Sequence, residues 1–83
     1  MAYLESAVRL TVTLDEEVDA AYVYLHGSSE RVGSATQHML DEPRANGSII
    51  LDFDREGRLL GIEVLGASNA LPKSLLAAVV EDD

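Results

Sequence analysis

The chain has 83 residues, no Cys, and 15 acidic residues against six basic ones, for a formal net charge of −9. That length is one domain, residues 1–83. The missing thiols exclude disulfide staples and thiolate zinc sites, and so acidic a surface disfavours nucleic acid and anionic membrane surfaces as partners. Hydrophobic residues make up 47% of the sequence, but the aromatics are Tyr3, Tyr22, Tyr24 and Phe53 alone, so the core must be aliphatic. A chain this short buries only about 60–65% of its unfolded surface. Small domains without staples gain missing burial by association, which makes a homodimer the expected state. No stretch approaches the ~20 apolar residues of a membrane span. The opening MAYLESAVRL lacks the basic segment and apolar core of a signal peptide, so the expected location is cytoplasmic.

Residues 1–7 read as a loose arm. From Val8 to Leu14 the chain alternates, with Val8, Leu10, Val12 and Leu14 on one face and Arg9, Thr11 and Thr13 on the other, the period of a half-buried strand. Asp15 to Asp19 supplies turn chemistry, with the Asp15 carboxylate placed to accept backbone N–H groups ahead of it. Ala20 to Leu25 is a second strand, antiparallel to the first because the connection is too short for a crossover. Gly27 to Glu30 breaks it. Residues 31–40 show little apolar contrast and read as an irregular or edge strand. Asp41 to Gly47 is a loop.

Ile49–Phe53 and Leu59–Leu65 follow as a hairpin. Asp54-Arg55-Glu56-Gly57 forms a type I turn in which Gly57 takes positive φ. A three-residue loop would put Ile50, Asp52, Leu60 and Ile62 on one face. A four-residue loop would put Ile49, Leu51, Leu60 and Ile62 together, the cleaner apolar face and the preferred register. Leu59, Leu65 and Ile50 then lie on the opposite face and need a cover, for which a second subunit is the natural candidate. Leu71, Leu75, Leu76 and Val79 form the stripe of a C-terminal helix over 71–80, with Asn69 as cap and Pro72 in the first turn. Residues 81–83 are an acidic tail. The expected fold is α+β: a small antiparallel sheet, a meander of four or five strands, with one C-terminal helix packed on one face.

Two blocks carry a resemblance. Leu14-Asp15-Glu16-Glu17-Val18-Asp19-Ala20-Ala21-Tyr22-Val23-Tyr24-Leu25 resembles the opening "YD…aDalYi.l" of the bacterial domain-of-unknown-function 2283 family. Leu51-Asp52-Phe53-Asp54-Arg55-Glu56-Gly57-Arg58-Leu59-Leu60-Gly61-Ile62-Glu63-Val64-Leu65 resembles its "lDyDedGrlvGIEiL" signature, and Ala67-Ser68 continues it. The likeness covers roughly residues 8–72, with Leu14 standing where the family usually has an aromatic residue. It implies a small β-rich fold and brings no catalytic residues. Some members are thought to be encoded beside toxin-like proteins, which implies an antitoxin-like partner role.

The sharpest chemical candidate is a cation site. Asp52-x-Asp54-x-Glu56-Gly57 followed by Glu63 follows the calcium-loop pattern of oxygen ligands apart from Glu at the fifth position. That loop joins two helices, whereas SIILDF and LLGIEVL read as strands, which would carry Glu63 away from the turn. The expectation is therefore no metal and no cofactor, with Asp54 holding the turn and Asp52 and Glu63 as strand residues. Asp15, Glu16, Glu17 and Asp19 read as a solvated tip. Neither a Cys nor H-x-x-x-H spacing accompanies His26 and His38, so a tetrahedral metal site lacks its usual ligands. No serine lies in G-x-S-x-G, and Ser68 reads as satisfying donors at the helix start. Tyr22 and Tyr24 share a face and suit either an interface or core packing under the helix.

The resulting expectation is a non-catalytic protein-interaction module, homodimeric, whose acidic surface suits a basic protein partner. The alternative is a metal-binding protein or small hydrolase-type enzyme using the Asp52, Asp54 and Glu63 carboxylates. The interface candidates are Tyr22, Tyr24, Ile50, Leu59 and Leu65.

Overall fold

A computed structural model describes residues 2–26 and 36–81. The break expected at Gly27–Glu30, residues 31–35 of the third strand, and residues 82–83 of the acidic tail lie outside them. Within the described residues the elements run β1 (Thr11–Asp15), β2 (Ala20–Tyr24), β3 (Thr36–Met39), β4 (Ser48–Phe53), β5 (Leu59–Leu65), α1 (Ala67–Ala70) and α2 (Lys73–Glu81).

All five strands form one antiparallel sheet in the order β1-β2-β5-β4-β3. This is the α+β class expected, but not an unbroken meander. The β3-β4-β5 meander meets the β1-β2 hairpin through β2 and β5, so β5 and β4 lie between the consecutive strands β2 and β3. β3 is the edge strand anticipated for the polar segment, and all four of its residues are exposed.

β1 begins three residues later than the alternation suggests, at Thr11, because its partner strand ends at Tyr24, opposite Thr11. Val8 and Leu10 lie beyond the ladder and are exposed.

The β4-β5 hairpin reconciles both candidate registers. Asp54 donates its N–H to the Arg58 carbonyl at 2.9 Å and accepts the Gly57 N–H at 3.1 Å, leaving a three-residue tip with Gly57 at φ 80°. A register shift then intervenes: Phe53 faces Leu59 but Asp52 faces Gly61. Leu60 is therefore the extra residue of a bulge, and the rest of the ladder pairs Leu51 with Ile62 and Ile49 with Val64. The apolar face is thus the one expected from a four-residue loop, reached with a shorter loop and a bulge.

Residues directly opposite in a ladder share a face. Val12, Leu14, Ala21, Val23, Ile49, Leu51, Ile62 and Val64 form one face. The helices cover part of it, around a core of Ala21, Val64 and Ala67 packed by Leu14, Ile62, Ala70, Leu71 and Leu76. In place of one C-terminal helix there are two short ones. Proline bars the residue before it from helical backbone angles, and Leu71, ahead of Pro72, is extended at φ −103° and ψ 153°. Asn69 accordingly lies inside α1 rather than capping α2, and Pro72 precedes α2, its carbonyl accepting the Leu76 N–H.

Candidate functional site

The face away from the helices holds the most buried charged side chain among the described residues, Asp52. β2 places Tyr22 opposite Glu63 and Tyr24 opposite Gly61. On the other side of β5, Asp52 is also opposite Gly61. Tyr22 and Asp52 are thus diagonal neighbours across a strand, a distance a long aromatic side chain can span. Gly61 makes the path: a Cβ there would sit 2.5 Å from two Tyr22 ring carbons. With no side chain in the way, the Tyr22 ring crosses β5 and its hydroxyl donates to Asp52 Oδ2 at 2.6 Å. Asp52 is 2% exposed, Tyr22 4% and Tyr24 8%. The Tyr24 ring leans on Tyr22 with centroids 4.5 Å apart, and His26 meets Tyr24 edge-on at 5.9 Å.

Chemically this is a closed arrangement. A short hydrogen bond to a buried carboxylate is strong because the acceptor is charged and water is excluded. The pair ties β2 to β4 across β5.

A second junction fastens the sheet to the helices. Asp19 ends the β1-β2 turn in the left-handed region, at φ 55°. Its carbonyl accepts the N–H groups of Gly66 and Ala67 at 2.9 and 3.0 Å. Its carboxylate accepts the Ser68 N–H at 2.9 Å and the Ser68 hydroxyl at 2.7 Å. Donors at the start of α1, which has no partner within the helix for its first N–H groups, are satisfied in this way.

Both junctions, with the hairpin, fall between β1 and α1. A family model matches residues 11–68, the stretch that contains them all. The chain belongs to the family described as Protein of unknown function (DUF2283). No curated protein and no solved structure matches the chain. In this DUF2283 chain the N-terminal arm and α2 lie outside the matched stretch.

The remaining candidates scatter. The Asp54 carboxylate is committed to its turn, accepting the N–H groups of Glu56 at 2.9 Å and Arg58 at 2.8 Å. Glu56 is exposed at the hairpin tip, and Glu63 is half-buried between Tyr22 and Ile50 in the ladders. Among the described residues, no three His, Asp or Glu side chains are grouped to hold a metal ion. Asp15 holds its own turn by accepting the Glu17 N–H at 3.0 Å, and Asp19 leaves the expected solvated tip for Ser68. His38 is exposed on β3. Tyr22 and Tyr24 lie inside the chain, on the face opposite the helices. Leu65 shares their face with the half-buried Ile50, while the bulge sets Leu59 apart, opposite Phe53; Leu59 and Leu65 are both about one-third exposed.

A hollow lies elsewhere. It is an open groove of about 850 Å³ between β1 and α2, floored by Leu10, Val12 and Leu14 and walled by Leu75, Val79 and Val80. Among the described residues, Arg9 and Glu16 are the charged ones that line it. No helix among the described residues is long and apolar enough to cross a membrane.

Proposed function

We propose that this DUF2283 chain is a cytoplasmic, non-catalytic protein-interaction module that acts as a homodimer. The observation that carries the reading is unfinished burial. Among the described residues the fully buried apolar side chains are few and mostly small, whereas Tyr3, Leu4, Val8 and Leu10 on the arm and Val80 on α2 are exposed. The groove beside such residues, where Leu10, Val12 and Leu14 meet Leu75 and Val79, suits an interaction partner better than a reaction.

Asp54 is committed to its turn, which separates it from Asp52 and Glu63 and supports this reading over a hydrolase or metal protein built on all three carboxylates. With a net charge of −9 and Asp15, Glu16 and Glu17 exposed at one turn, the dimer suits a basic protein partner, attracted electrostatically. An antitoxin-like role would use this acidic surface.

Unfolding by urea at several chain concentrations tests the reading, because association stabilises the native state by mass action. The midpoint rises with concentration if the folded chain is a dimer, and a constant midpoint contradicts it. Added Ca²⁺ or Mg²⁺ leaves the melting temperature unchanged; a saturable rise would favour the carboxylate alternative.

A further inference from the structure

β1 is the outer strand of its sheet, and its sequence is complementary to itself. In Arg9-Leu10-Thr11-Val12-Thr13-Leu14-Asp15, folding the segment back on Val12 sets Thr11 against Thr13, Leu10 against Leu14, and Arg9 against Asp15. We propose that β1 pairs antiparallel with β1 of a second copy about a two-fold axis through Val12, joining two five-stranded sheets into one. This rests on the homodimer reading and names its surface.

Three features of the molecule select that pairing. First, among the described residues no strand pairs with the outer side of β1. Natural sheets protect their edges with Lys, Pro, short polar strands or bulges. β3 at the far edge is short, polar and exposed, whereas β1 offers Thr11, Val12 and Thr13, all β-branched strand formers. Second, the faces match. A two-fold axis perpendicular to the sheet keeps each face on its own side. Leu10, Val12 and Leu14 of both copies would then form one apolar floor, merging the two grooves between the flanking α2 helices. Leu10 and Val80, at 45% and 51% exposure, are the residues this arrangement would cover.

Third, the charges fix the register. A one-residue slip sets leucine against threonine and turns the apolar residues to the wrong face. Two-residue slips keep the faces but separate Arg9 from Asp15. Only the pairing centred on Val12 brings these opposite charges together, once at each end of the interface. Arg9 is exposed and makes no ion pair among the described residues. Asp15 is exposed, with one oxygen engaged in its turn. In the dimer, residues 9 and 10 join the strand that at present starts at Thr11.

Charge exchange followed by sedimentation tests this. Arg9→Asp and Asp15→Arg each replace two opposite-charge pairs by two like-charge pairs, so each raises the dimer dissociation constant by about tenfold. The double variant Arg9→Asp/Asp15→Arg restores it. A general charge effect predicts otherwise, because one single variant raises the net negative charge and the other lowers it. A Val12→Cys variant gives an independent readout in a chain with no other Cys. Residues that face each other across a two-fold axis are within disulfide range, so mild oxidation cross-links it into a dimer faster than a Thr36→Cys control on β3. A native chain that dimerises, with single and double charge variants alike and no preferential cross-link at position 12, overturns this interface while leaving the homodimer intact. A native chain that stays monomeric overturns both.

Discussion

Asp19 and Ser68 are 49 positions apart in the chain, yet both Ser68 donors end on the Asp19 carboxylate, at 2.9 and 2.7 Å. The link joins the β1-β2 turn to the first turn of α1, and so fixes the helices on the sheet. Asp19→Ala removes both bonds and leaves a Cβ residue with no side-chain compensation in the left-handed region. We expect a loss of about 1–2 kcal/mol in urea unfolding. Asp19→Asn keeps one acceptor oxygen and tolerates positive φ, and should lose less than half as much.

Tyr22→Phe deletes the hydroxyl that reaches Asp52 and should cost about 1–3 kcal/mol, because the carboxylate stays buried after losing a charge-assisted donor. The variant is best combined with Asp52→Asn in a double-mutant cycle. The two changes should be strongly non-additive; additive losses would show that the pair carries no coupling.

Gly61→Ala tests the crossing of β5 by Tyr22. Its methyl would meet ring carbons 2.5 Å away, so the ring must leave Asp52 or the strand must shift. A destabilisation of about 1–3 kcal/mol follows, and pairing it with Tyr22→Ala should recover much of that loss. Equal damage in both backgrounds would refute the steric account.

These two junctions mark where sequence reasoning ran out. The hairpin was legible because its strand residues, turn carboxylate and Gly57 are neighbours in sequence. Its apolar face was legible from the contrast between Ile49 and Leu51 on one side and Asp52 on the other. The bulge at Leu60 was not, since it arises from fitting a three-residue tip to that face. Asp52 read as a strand carboxylate or cation ligand because nothing local announces a tyrosine 30 positions away. Gly61 was the available signal: glycine inside a strand often marks a close approach by another group. Asp19 looked like one more charge on an acidic tip, and its partner Ser68 like a helix-start residue, with no local cue linking them. The pairing of β2 with β5 is likewise a long-range choice that alternation alone does not specify.

The surface pair Glu42–Arg44 makes a prediction about pH. The Arg44 side chain, and then its backbone N–H, hydrogen-bond the Glu42 carboxylate and hold it below its ordinary value of 4.5. A depressed carboxylate contributes its interaction above the unfolded-state value and loses it as pH falls through the folded one. In an NMR titration, Glu42 should therefore titrate at lower pH than an ordinary glutamate. In Arg44→Ala its midpoint should move up towards the ordinary value. The pair lies at the surface, with Arg44 exposed, so global stability should scarcely respond.

The homodimer is tested most directly by the mass of the native chain in solution. The chain mass is 8.9 kDa. Light scattering on a micromolar sample should give twice that value; the mass of a single chain, unchanged as concentration rises, would contradict the account.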